Sequence, residues 1–130
     1  MINVLSVFLG CGLGGVARWA LTRYVAEQFT SIFPWGTVAV NVIGSFLIGL
    51  FFVLFNTWMA PPSVRLLATT GFLGGFTTFS TYALETVMLA EKGYGKAAVL
   101  NVLTQNGIGC VAVIGGMFAG NLIAYLVKGR

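Results

Sequence analysis

Four stretches of the chain, at about 2–24, 35–56, 63–90 and 96–127, are mainly apolar over twenty residues or more. A helix of about 20 such residues crosses the hydrocarbon core of a bilayer. That repetition constrains the fold more than any other feature. It predicts an all-α membrane protein with four transmembrane helices, forming a single domain over 1–130. Composition agrees: 58% of the 130 residues are hydrophobic and only 8% charged, against about 25% charged in soluble domains. The opening "MINVLSVF" has no basic residue before its apolar run, so the first stretch reads as a retained helix and not a cleaved signal.

The connections "AEQFTSIFP", "NTWMAPPS" and "EKGYG" hold the turn signals. Trp19, Tyr24, Trp35, Trp58 and Tyr94 fall near the ends of the spans, as an interfacial aromatic belt would. With the N-terminus on one side, Arg65, Lys128 and Arg130 share that side. Arg18, Arg23, Lys92 and Lys96 lie on the other, a split of three against four. The positive-inside rule needs an asymmetry, and this chain offers almost none. Either it inserts in both orientations, which leads naturally to an antiparallel homodimer, or something other than charge fixes its topology.

The basic residues are scattered, with no run and no aromatic interleaving, so nucleic acid is not an expected partner. With no His in the chain, a histidine metal site or proton relay is excluded. Cys11 and Cys110 sit in apolar stretches and read as small buried residues, not a disulfide. The patterns "GCGLG", "GFLGG" and "GMFAG" have small residues four apart, and together they favour a tightly packed oligomer.

Polar residues inside the spans need partners or water. Asn41 is either glue between helices or a donor toward an anion. Asn101, Gln105 and Gly109 recur at i, i+4 and i+8 on one face of the fourth helix, with Asn106 beside them. They form a polar track or pack on another polar face. Glu85 is the one acid well inside a span. It must lie near the interface, be paired, or be protonated, and Arg18 is a candidate partner on the same side.

The third stretch carries "GGFTTFSTYALE" at 74–85. Two glycines followed by β-branched threonines make a poor helix interior, so the helix is expected to break at 74–78. A break frees carbonyls that can bind a cation. Thr77 or Thr78 would cap the second half-helix, whose positive end favours an anion. The alternative is a kink satisfied by neighbouring hydroxyls. Phe76, Phe79 and Tyr82 run three apart beside Ser80 and Thr81. Ring edges carry partial positive charge, and with weak donors they could pass an anion without trapping it.

These motifs, with "GGVAR" at 14–18 and "NVIGSF" at 41–46, resemble the Fluc (CrcB) fluoride channels of microbes over essentially the whole chain. The resemblance implies an antiparallel, dual-topology homodimer in the cytoplasmic (inner) membrane, contacting lipid. It implies two fluoride pathways and a central structural Na+ at the dimer interface. Gly74 and Thr77 match the positions whose carbonyls hold the sodium. Phe79 and Tyr82 match the pore aromatics and Asn41 the pore asparagine. Ser80 and Thr81 match polar pore-lining positions, Glu85 the acid closing the motif, and Arg18 the first-span arginine. The chain departs from the family at Tyr82, where Phe is usual. It departs again at Asn101 and Gln105, where Tyr, Ser or His are frequent, and at Gly109, where a hydroxyl is common.

The leading expectation is therefore a passive fluoride channel and not an enzyme. Its pore would be lined by Asn41, Phe79, Ser80, Thr81, Tyr82, Asn101 and Gln105. The alternative, a small multidrug-resistance-type proton-coupled antiporter, shares the size and four spans. It needs an acid deep in the first span, and none precedes Glu27.

Overall fold

A computed structural model describes residues 1–128. Its helices are α1 (Ile2–Gln28), α2 (Trp35–Thr57), α3 (62–76), α4 (Phe79–Glu91) and α5 (Gly95–Lys128). By length and composition α1, α2 and α5 can each cross a membrane. The third apolar stretch is shared between α3 and α4, with two residues between them. Arg130, part of the charge balance above, lies outside the described residues.

The punctuation in the sequence sets the helix ends. Pro34 precedes α2, and Pro62 stands in the first turn of α3, where a missing N–H costs nothing. Gly93 takes a φ of 84° after α4. Its N–H donates to the Ala90 carbonyl at 3.0 Å and the Tyr94 N–H to the Leu89 carbonyl at 2.8 Å. That pair of bonds is the Schellman closure glycine permits. Arg65, counted in the charge balance above, closes the end of α2. It donates to the Ala60 carbonyl at 3.0 Å, to Asn56 Oδ1 at 2.8 Å and to the Phe55 carbonyl at 2.5 Å.

Two glycine seams hold the bundle. α1 meets α3 where Gly10 and Gly14 face Gly71, Phe72 and Phe76, and Gly75 faces Cys11 and Gly15. α2 meets α5 where Gly49 faces Val113, and Gly116 and Gly120 face Phe46, Leu50 and Val53. A Cβ on Gly116 would overlap the Phe46 carbonyl oxygen, and one on Gly14 the Phe72 carbonyl oxygen. The small-residue patterns expected to favour an oligomer are thus consumed inside one chain. They give no support for a second copy.

Much of the remaining apolar surface is exposed on the single chain. Cys11 and Cys110 are exposed too, not buried as the sequence suggested. Trp19, Tyr24, Trp35, Trp58 and Tyr94 are all exposed, as interfacial rings are. Two π-helical turns, Leu67–Leu73 in α3 and Thr104–Ile108 in α5, were not foreseen. Such turns re-aim the side chains of a helix and frequently occur at functional sites.

Candidate functional site

The helical run of α3 ends at Phe76, and α4 begins at Phe79. Thr77 (φ −87°, ψ 160°) and Thr78 (φ −149°, ψ 113°) are extended between them. The glycines are not the interruption: Gly74 has helical angles, φ −62° and ψ −36°. Gly75 instead lets α1 approach, since a Cβ there would sit 2.5 Å from the Cys11 carbonyl oxygen.

Extended backbone inside a bundle must find partners, and Asn41 supplies them. The Thr78 N–H donates to Asn41 Oδ1 at 2.8 Å, and Asn41 Nδ2 donates back to the Thr78 carbonyl at 3.0 Å. One side-chain amide thus replaces a strand neighbour. Thr78 also caps α4: its Oγ1 accepts from the Thr81 N–H at 3.3 Å and donates to Thr81 Oγ1 at 2.9 Å. On the other side, Arg18 Nη1 donates to the Thr77 carbonyl at 3.3 Å. The Thr78 N–H would serve the Gly74 carbonyl in a continuous helix. Its bond to Asn41 leaves that carbonyl free of its helical partner.

From Asn41 a line of polar groups crosses three helices. Asn41 Nδ2 donates to Gln105 Oε1 at 3.0 Å, and Gln105 Nε2 to Asn101 Oδ1 at a long 3.5 Å. Asn101 Nδ2 donates to Thr86 Oγ1 at 2.8 Å, and Thr86 Oγ1 to the Tyr82 carbonyl at 2.8 Å. Every link donates in the same direction, so each polarises the next. Asn101 and Val40 are the largest completely buried side chains. Burial of an amide is tolerated there because this line satisfies it.

A cleft of about 380 Å³ opens beside the interruption, lined by Asn41, Gly74, Thr77, Phe79, Tyr82 and Gln105 among others. Among the described residues that line it, none is charged. The Phe79 and Tyr82 rings meet edge to face, centroids 5.5 Å apart at 68°. Phe79 is 77% exposed while Tyr82 is buried at 9%. Ser80 and Thr81 are exposed and do not line the cleft; Asn101 supports Gln105 from behind it. Gly109 is buried beside Ser45.

Arg18 and Glu85 do not pair; among the described residues the one ion pair is Arg23–Glu27, at 2.8 Å. Glu85 accepts from Thr37 Oγ1 at 2.8 Å, while its Oε2 is buried with no hydrogen-bond partner. Thr37 and Glu85 line a second cavity of about 520 Å³, together with Trp35 and Lys92. Of the residues singled out in the sequence, Thr78 is the cap of α4 and Asn106 stands beside the amide stripe; Thr37 and Thr86 were missed as polar partners. Their type gave no signal, because Thr inside apolar helices is marked only by what it meets across the bundle. Among the described residues no cluster of His, Cys, Asp or Glu could hold a metal. Candidate cation ligands are backbone carbonyls, chiefly Gly74, since Thr77 already serves Arg18.

An apolar, all-helical bundle with an interrupted span and an uncharged cleft defines a multi-pass membrane protein. A family model described as CrcB-like protein, Camphor Resistance (CrcB), matches residues 5–117. Three relatives are each named fluoride-specific ion channel FluC. That of Magnetococcus marinus is 42% identical over 123 residues, 94% of this chain and 100% of the relative. That of Parabacteroides distasonis is 38% identical over 128 residues, 98% of this chain and 100% of the relative. That of a Roseiflexus species is 41% identical over 124 residues, 95% and 97%. The chain belongs to the CrcB family, whose members are ion channels and not enzymes.

Proposed function

We propose that this chain is a passive, fluoride-selective channel that lets F⁻ leave a microbial cell through its cytoplasmic membrane. The observation that carries the proposal is the uncharged cleft beside the clamped interruption, and the relatives' names supply the ion. Fluoride is small and strongly hydrated, so a pathway must replace its water without holding it. Neutral donors and ring edges do that weakly and in series, which permits exit as well as entry. A lysine or arginine in the cleft would instead trap the ion.

Asn41, Phe79, Tyr82 and Gln105 act directly on the ion in this reading. Both Asn41 amide hydrogens are engaged, so Asn41 meets the anion by exchanging its bond to Gln105. Ser80 and Thr81, exposed on the first turn of α4, offer hydroxyls along the same route beside the positive helix end. Asn101 keeps Gln105 aligned. Arg18 holds the interruption, and Glu85 with Thr37 stands at the second cavity as the pore end.

The working unit is an antiparallel, dual-topology homodimer with two pores. The Gly74 backbone and the Ser80 and Thr81 hydroxyls are exposed on the single chain, and polar groups facing lipid are costly. A second copy would cover them and close the cleft. The near-even charge split supports insertion both ways. A structural Na+ between the copies suits the freed Gly74 carbonyl, with Thr77 as its neighbour. The chemistry it supplies is charge neutralisation of clustered carbonyls.

The antiporter alternative finds no support in α1, whose Glu27 is exposed and paired with Arg23 near the helix end. The test is efflux from liposomes loaded with fluoride or chloride. Fast fluoride efflux with negligible chloride efflux is expected. Equal rates, or no fluoride efflux, would refute the proposal.

A further inference from the structure

We propose that the Tyr82 hydroxyl donates a hydrogen bond to the permeating anion, and that Asn106 is the residue that positions it. The inference rests on the channel reading above and adds a donor and its support to that same cleft.

The direction of each bond follows from chemistry. Asn106 Nδ2 donates to the Val102 carbonyl at 2.9 Å. A carbonyl only accepts, so this contact fixes which end of the amide is nitrogen. The second N–H of Nδ2 reaches Tyr82 Oη at 3.0 Å. An amide nitrogen does not accept, so the phenol oxygen is the acceptor and its own hydrogen remains free. Among the described residues Oη has no other hydrogen-bond partner.

The setting gives that hydrogen a use. Tyr82 and Asn106 both line the cleft. The Tyr82 ring is buried and stands edge-on to Phe79, so it is held at both ends. A hydroxyl that accepts one bond is polarised to donate a stronger second. Asn106 has spent both hydrogens, so it cannot itself donate to the ion. Its part is to hold the phenol in place from within the π-helical turn Thr104–Ile108. If the pair were only glue between α4 and α5, the free hydrogen would have no function and fluoride would not sense it.

Two readouts separate these. The first is fluoride efflux from liposomes. Tyr82→Phe, which keeps the ring, should lower efflux roughly tenfold, the scale of one hydrogen bond to an ion. Its elution volume and melting temperature should not change. Asn106→Ala should lower efflux less, and should have no further effect in the Tyr82→Phe background. The second is the tyrosine ultraviolet difference spectrum of the detergent-solubilised protein titrated with fluoride or chloride. The chain has four tyrosines. A fluoride-specific change present in the wild type, lost in Tyr82→Phe and weakened in Asn106→Ala supports the proposal. Wild-type efflux from Tyr82→Phe with the spectral change retained overturns it and leaves the channel reading intact. A wild type that shows the spectral change but passes no fluoride sinks the channel reading and leaves the donor assignment standing.

Discussion

The glycine seams and the polar line solve opposite problems in one small bundle. In the seams, α1 with α3 and α2 with α5, backbones approach until no Cβ fits. The seams run along helical backbone, whose groups bond mainly within their own helices. Along the line from Thr78 through Asn41, Gln105 and Asn101 to Thr86, backbone is released and side-chain amides must take it up. The difference teaches that residues inside a span have two separable uses. The seams set the shape of the bundle. The polar line keeps an interruption open beside an uncharged cleft, and only it has chemistry to offer an ion.

Breaking a seam should therefore cost the fold, and breaking the line should cost conduction. The largest effect is expected for Gly116→Leu, whose side chain would drive into the Phe46 carbonyl. Overpacking against backbone cannot relax by rotamer change, so little or no monodisperse protein should be recovered on size exclusion. Phe79→Ile should lower fluoride efflux by more than about tenfold, by removing a ring edge. Phe79 is mostly exposed on the chain, so the variant should still be recovered as folded protein. Unchanged efflux would mean the ring only packs.

If the proposed dimer holds Na+, replacing it by Li+ or a large cation during purification should weaken that dimer by a smaller amount, read as a shift toward monomer. Indifference to the cation would remove the sodium from the account. The smallest effect belongs to Gly12→Ala. Gly12 lies one turn or less from the seam glycines Gly10 and Gly14, yet a Cβ added there would meet nothing within 4 Å. Its melting temperature and efflux should match the wild type, with stability within about 0.5 kcal/mol.

The helices were legible because length and apolarity decide them locally, and Pro34, Pro62 and Gly93 mark their ends. Where the third span is interrupted was less legible. Helix propensity points to Gly74 and Gly75, but both stay helical, and Gly75 serves the close approach of α1. Thr78 leaves the helix because Asn41, distant in sequence, offers both a donor and an acceptor. The amide stripe of α5 was visible from its spacing, yet its partners Thr86 and Tyr82 were not. Arg18 and Glu85 attract in principle, but each finds a nearer uncharged partner, the Thr77 carbonyl and the Thr37 hydroxyl. Contacts between helices are set by rotation and register, which composition does not carry.

The central claim is that the ion passes through the cleft beside Asn41. Fluoride efflux from liposomes holding Asn41→Asp tests it most directly. The substitution nearly preserves shape and keeps an acceptor for the Thr78 N–H, but sets a negative charge beside the path. If fluoride passes Asn41, efflux should fall by at least about a hundredfold, as a like charge near an ion at an effective dielectric of about 20 requires. Efflux within about twofold of the wild type, from protein that elutes and melts normally, would contradict the account.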